Sequence, residues 1–502
     1  MILLLPVLLP IVMGMIVLCV KKCREDKWMH ILTGATLVVT AGIVWGILIS
    51  GKEFTFLLWN LTDTLSIWWR LDGLGRFFAG LTVTVWTLSG FFAFQYMHHE
   101  KNPHRFFGCY LITLGVLMGL DFAGNIITFY LFYEMMTIVT LPLVAHSLTK
   151  EAVQASLKYL FYSLFGAFMG LLGIFLVFGY CQTQVFTPGG VIDEALAAGH
   201  ETAILIAVLV MIIGFGTKAG MFPMHGWLPT AHPVAPAPAS AVLSGVITKS
   251  GVLGIIRILY YVVGFERVQG TFVQTTALIL CLITVFMGSM MAFRETIFKK
   301  RLAFSTVSQV SYVLFGLFVM DEAAFRGGLL HVVFHSVIKN LLFLTAGVII
   351  FYTGKTHVDE YEGYGKKMPT VMVCYTLCSL GLVGIPPLSG FVSKWYLATG
   401  AYQAQIGVFR WLGPVILLIS ALLTAVYLLQ ICVKSFFPQP AIVDNSSKKA
   451  SKHVAEETDT ARIKVSWLML IPMIIYTILN VLFGIFTGPL GQVIDGIANS
   501  IF

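Results

Sequence analysis

The chain has 502 residues, 58% of them hydrophobic and only 11% charged, with a formal net charge of +8. Soluble globular proteins carry about 25% charged residues, so no soluble fold accommodates this composition, and the fold class is an all-α polytopic membrane protein. The apolar runs are about 20 residues long and do not alternate, which excludes a β-barrel.

The first segment, "MILLLPVLLPIVMGMIVLCV", has no basic residue before it and "KKCREDK" after it. A cleaved signal places its positive charge first, so this is read as a retained first helix with its N-terminus outside. About 14 spans are expected, at 1–20, 29–50, 71–96, 106–120, 122–146, 155–181, 201–223, 237–263, 272–293, 302–320, 325–352, 369–398, 406–436 and 465–490. The chain divides into 1–105 (three helices and a loop), 106–263 and 272–436 (five spans each), a cytoplasmic loop over 437–464 and a C-terminal helix within 465–502. Five is an odd number, so two such units would be inverted repeats of each other.

Of the 32 lysines and arginines, 21 fall on one side of this map, Lys299 and Arg301 among them, and six on the other. The positive-inside rule puts the richer side in the cytoplasm. Five cations remain inside expected spans: Lys218, Lys249, Arg257, Lys339 and Lys394. Each costs about 2.5–3.5 kcal/mol at the bilayer centre on insertion scales. Arg257 lies near a helix end beside Tyr260 and Tyr261 and is read as snorkelling. The others, with the one acid well inside a span, Glu134, suggest an ion pathway. In "LLHVVFHSVIKNLLFL", His331, His335 and Lys339 recur every fourth residue, which stacks three titratable groups on one helix face over about 12 Å.

Two spans are interrupted. "GFGTKAGMFPMHGWLPTAHP" sets Gly216, Gly220 and Pro223 around Lys218, and "SLGLVGIPPLSGFVSKWYL" sets Gly384, Pro386, Pro387 and Gly390 before Lys394. Proline removes a backbone donor, and in lipid the freed carbonyls need water, a side chain or an ion. Paired broken helices in two halves are a pointer to a transporter's site. His225 and His232, at the loop end of the first break, are candidate entrance residues. Other motifs are weak. "GVITKSG" lacks the second glycine of a phosphate loop, and the eight cysteines form no CxxC pair. No metal or cofactor is expected to bind directly.

The stretch "TKAGMFPMHGWLPTAHPVAPAPASAVLSGVITKSGVLGIIR" resembles the core signature of the antiporter-like, proton-translocating membrane subunits of respiratory complex I, membrane-bound [NiFe] hydrogenases and Mrp-type cation/proton antiporters. "FYLFYEMMT", "KKRLAFSTVSQVSYVLFGL", "HVVFHSVIKNLLFLTAG" and "GIPPLSGFVSKWY" extend the resemblance over about residues 60–436. The resemblance implies a Glu134–Lys218 ion pair on the fifth and broken seventh helices and a bridging Lys249 on the eighth. It further implies connecting groups at His331, His335 and Lys339 on the eleventh, and an end point at Lys394 on the broken twelfth. It implies a proton-translocating subunit of a redox-driven complex, in the cell (inner) membrane, beside other membrane subunits and a peripheral electron-transfer module. Protons are the expected cargo, Na⁺ a candidate second ion, and nucleic acid no expected partner. The alternative is a subunit of an Mrp-type Na⁺/H⁺ antiporter. A membrane-embedded enzyme predicts acidic catalytic clusters in loops, whereas here the acids are sparse and the loops short. A purely structural scaffold leaves the mid-span lysines unexplained.

Overall fold

The computed structural model describes residues 1–62, 65–438 and 462–502. Most of the expected 437–464 loop, residues 439–461, therefore lies outside the described residues. The chain begins with α1 (Leu4–Cys19) and α2 (Asp26–Ile49). The connection over 51–70 is an antiparallel hairpin of β1 (Thr55–Asn60) and β2 (Ser66–Arg70), with Phe56 opposite Trp69 and Leu57 opposite Trp68. Its aromatic and branched residues favour a pleated strand. In the other direction β2 is tied to the turn after α4, where Arg70 N–H donates to Phe122 O and Gly124 N–H to Trp68 O.

The helices continue with α3 (Gly73–Tyr96), α4 (Pro103–Asp121), α5 (Ile126–Val144), α6 (Lys150–Phe178), α7 (Glu201–Ala219) and a short α8 (Leu228–Val234). Next come α9 (Ala237–Val263), α10 (Phe272–Arg294), α11 (Phe298–Val319) and α12 (Glu322–Thr353). The last are α13 (Pro369–Val383), α14 (Ser389–Gln403), α15 (Phe409–Phe436), α16 (Trp467–Ile485) and α17 (Gly488–Ala498). Among the described residues, 11 helices are long and apolar enough to cross a membrane, while α1 and α13 are apolar but shorter. The C-terminal segment holds two helices where one was expected, because Pro489 opens a second helix just after α16 ends.

Both expected breaks occur. Helix α7 stops at Gly220 (φ 79°) and α13 at Gly384 (φ 94°), and cis peptides precede Pro223 and Pro387. Left-handed backbone costs glycine nothing, which makes it the natural helix terminator. The expected single span 369–398 is thus α13 and α14, joined at Gly384–Leu388. Helices α9 and α11 are buried along their most apolar stretch and α12 nearly so, whereas α2, α6, α15 and α16 leave most of theirs uncovered. The three enclosed helices carry most of the mid-span cations and both histidines, so the polar groups lie at the centre of the bundle.

Candidate functional site: a buried lysine–histidine axis

At one end, Lys218 sits in the last turn of α7 and is 1% exposed. Its ammonium donates to three hydroxyls: Thr137 Oγ1 (2.8 Å), Tyr159 OH (3.0 Å) and Ser163 Oγ (3.0 Å). It also lies 4.6 Å from the Tyr159 ring centroid and 5.8 Å from that of Tyr133, a favourable placement for a cation over a π face. The expected ion pair with Glu134 is not formed in this arrangement. Lys218 has committed its three protons to the hydroxyls, one of them Thr137, a turn beyond Glu134 on α5. Glu134 Oε1 is enclosed and has no hydrogen-bond partner, although the carboxylate remains within electrostatic range of the lysine.

Next along the axis, α9 packs against α7 at Gly251, where an added Cβ would stand 3.1 Å from Lys218 Cβ and 2.5 Å from Phe215 O. Two residues earlier, Lys249 follows a π-helical turn at Leu243–Ile247. Such turns recur at functional sites. Its ammonium donates to Ser244 O (2.5 Å) and meets His335 Nδ1 at 2.6 Å. With lysine as donor, Nδ1 accepts and the ring proton resides on Nε2, which has no other partner. The His335 ring stacks on His331 (6.0 Å between centroids), and His331 Nδ1 pairs with Ser393 Oγ at 2.9 Å. Ser393 precedes Lys394, whose ammonium takes the freed carbonyls at the end of α13, Leu382 O (2.6 Å) and Val383 O (2.8 Å), and lies 5.2 Å from the Tyr312 ring centroid.

The structure thus bonds Lys249 to His335, stacks His335 on His331 and His331 on Tyr312, whose ring also faces Lys394, and carries Lys218 on α7, packed against α9. Lys339 sits apart. It is fully buried, one turn beyond His335, and donates to Leu302 O at 3.2 Å. His232 is buried against the Phe343 ring (4.7 Å between centroids), and neither ring nitrogen has a partner. His225 remains at the loop, stacked on Phe222.

Two groups depart from their sequence reading. Arg257 does not snorkel. It is 1% exposed, bonded to Asp72 through Nη1 (2.5 Å) and Nη2 (2.9 Å) and sandwiched against the Phe186 and Tyr261 rings. Lys299, sorted with the loop cations, is buried and donates to Pro233 O (2.9 Å) and Ala235 O (2.5 Å). Sequence reasoning also missed the hydroxyls. Thr137, Tyr159, Ser163 and Ser393 carry no charge and look ordinary in apolar helices. Among the described residues no cluster of histidine, cysteine and acid could hold a metal ion.

Residues 123–424 match the family model described as NADH:quinone oxidoreductase/Mrp antiporter, TM. The chain is 30% identical over 391 residues to NADH-quinone oxidoreductase subunit N of Desulforudis audaxviator, covering 77% of this chain and 75% of that protein. It is 27% identical to a Na(+)/H(+) antiporter subunit of Alkalihalophilus pseudofirmus, covering 97% of this chain and 94% of that one. Its fold is similar to that of a chain in the Mrp complex from Dietzia sp., with a TM-score of 0.84 at 21% identity over 99% of this chain and 97% of that one. The enclosed polar axis, the two broken helices and these matches lead to one conclusion: the chain belongs to the NADH:quinone oxidoreductase/Mrp antiporter transmembrane family.

Proposed function

We propose that the chain moves protons along a buried Glu/Lys/His axis as the antiporter-like subunit of a redox-driven membrane complex of the complex I or energy-converting hydrogenase type. The observation that carries this is the 2.6 Å contact between Lys249 and His335, followed by stacking on His331 and Tyr312, whose ring faces Lys394. Hydrogen-bonded chains of titratable groups in a low-dielectric interior can pass a proton without moving heavy atoms far. Glu134 acts on Lys218 as a removable partner. A contact at about 4 Å is worth roughly 4 kcal/mol at an effective dielectric near 20, enough to change which group holds the proton. Water entering at the two breaks bridges the remaining gaps. His225 lines an entrance, His232 is an enclosed accessory group behind it, and Lys339 exchanges with the same route.

The finer architecture belongs to this reading: fourteen spans, with 106–263 and 272–436 as inverted five-helix repeats, each broken beside a lysine. The N-terminus lies outside and the richer set of basic loops faces the cytoplasm. The chain binds no cofactor of its own, and a partner module in the same inner membrane carries the electrons. A second reading, a subunit of an Mrp-type Na⁺/H⁺ antiporter, is favoured by the match to the Alkalihalophilus antiporter protein over nearly the whole of both chains.

The test is Lys218→Ala and Glu134→Ala in the assembled complex. Either is expected to lower vesicle proton translocation roughly tenfold or more with normal assembly; undiminished translocation overturns the axis. Purification with co-eluting subunits separates the two readings. A redox module with reductant-driven acidification supports the first, and Na⁺-driven proton movement without such a module supports the second.

A further inference from the structure

A second buried charge cluster lies away from the axis, where the hairpin, the start of α3, the end of α4 and the end of α9 meet. Asp72 caps α3 by accepting from Gly75 N–H (2.8 Å) and holds the Arg257 guanidinium with both oxygens. Asp121, the last residue of α4, is 3% exposed, and its Oδ2 has no hydrogen-bond partner. The end of α4 closes on the start of α3 at Gly75, through the backbone of Asp121, and both acids interact with the same Arg257. A Cβ at Gly75 would stand 2.6 Å from Asp121 O and 3.1 Å from Asp72 Oδ1. Around them, Thr82 of α3 and Arg257 of α9 face Asp121, while Arg70 of β2 and Tyr261 of α9 lie on the Asp72–Arg257 side.

One guanidinium serves two carboxyls here, and Asp72 already occupies it. An ionised Asp121 would be an enclosed anion with an unpaired oxygen, which is costly enough that such groups take up a proton instead. We propose that Asp72 and Asp121 share Arg257 and a single proton, with Asp121 protonated in the arrangement seen. If Arg257 turns from Asp72 to Asp121, one proton leaves the Asp121 carboxyl and one arrives at the Asp72 carboxylate, so the cluster's charge is unchanged. Asp72 is the wetter partner, with its side chain 19% exposed against 1% for Arg257. The swap therefore carries a proton from an enclosed carboxyl towards the hairpin surface. Arg257 lies two turns beyond Lys249 on the same helix.

Infrared spectroscopy of the assembled complex with carboxyl-isotope-labelled aspartate tests this without reference to transport. A Lys218 result that sank the transport axis would leave it standing. At neutral pH the unmutated protein is expected to show a protonated-aspartate carbonyl band. Asp121→Asn should abolish it. Asp72→Asn, which keeps a side chain able to cap α3, should abolish it too, because Arg257 then turns to Asp121 and ionises it. A protein without the band at neutral pH overturns the proposal before any variant is made. A band that survives Asp121→Asn places the proton elsewhere and overturns it, and one that survives Asp72→Asn overturns the sharing of Arg257.

Discussion

Single residues in this chain are informative in proportion to what they cost in lipid. Lysines 218, 249, 339 and 394 stand out because a charge in an apolar span demands a reason, and the structure places them all at enclosed or partly enclosed positions. Hydroxyls cost little there, so the cradle of Lys218 was illegible although it makes every hydrogen bond that residue has. The Asp72–Arg257 pair was illegible for another reason: its members lie 185 residues apart. Two outcomes follow at this scale. Ser393→Ala should leave the fold intact and slow proton translocation about three- to tenfold, the value of one net hydrogen bond, as measured in vesicles containing assembled complex. Arg257→Ala should destabilise the protein by about 1–3 kcal/mol, because it strands a partly buried carboxylate; a snorkelling arginine would cost about 0.5 kcal/mol or less. Thermal unfolding of the purified complex distinguishes the two.

At the scale of elements, the apolar runs located most of the helices, and glycine with proline marked both breaks within a few residues. The hairpin escaped because "TFLLWN" and "SIWWR" are as apolar as the spans around them and too short to show alternation clearly. Lys299 escaped because "FKKR" reads as a loop edge, while the first turn of α11 is tucked under the carbonyls of Pro233 and Ala235. Close approach of α7 and α9 depends on Gly251, where an added Cβ would press on Phe215 O. Gly251→Ala is expected to cost about 1–3 kcal/mol through overpacking and to slow translocation by pushing Lys249 away from Lys218. A melting curve paired with a translocation assay checks both effects.

For the whole molecule, the arrangement inverts that of a soluble protein. The most polar side chains occupy the centre, on α9, α11 and α12, and the apolar faces point outward. Phe161, Phe165, Phe168 and Phe175 of α6 are each more than half exposed. Substituting one of them, Phe168→Leu for instance, should change stability by no more than about 0.5 kcal/mol, unlike any change along the axis. Retained yield and melting temperature in detergent would establish that. Composition alone identified this class of molecule, but the meeting of α5, α6, α7, α9 and α12 around Lys218 and Lys249 depends on packing that no local pattern specifies.

The two ends of the axis are cradled by different chemistry. Lys218 rests among hydroxyls, each of which can donate as well as accept. A neutral amine there would still find a donor for its lone pair after the hydroxyls rotate. Lys394 rests on two backbone carbonyls and beside an aromatic face, all of which can only receive. A neutral amine there would keep both carbonyl bonds through its two N–H groups and leave only its lone pair without a donor. Both ends can therefore hold a charged or a neutral amine, the first by rotating its hydroxyls and the second on fixed carbonyls. The partners at one end can be removed one hydroxyl at a time, whereas those at the other are backbone oxygens that no side-chain substitution removes.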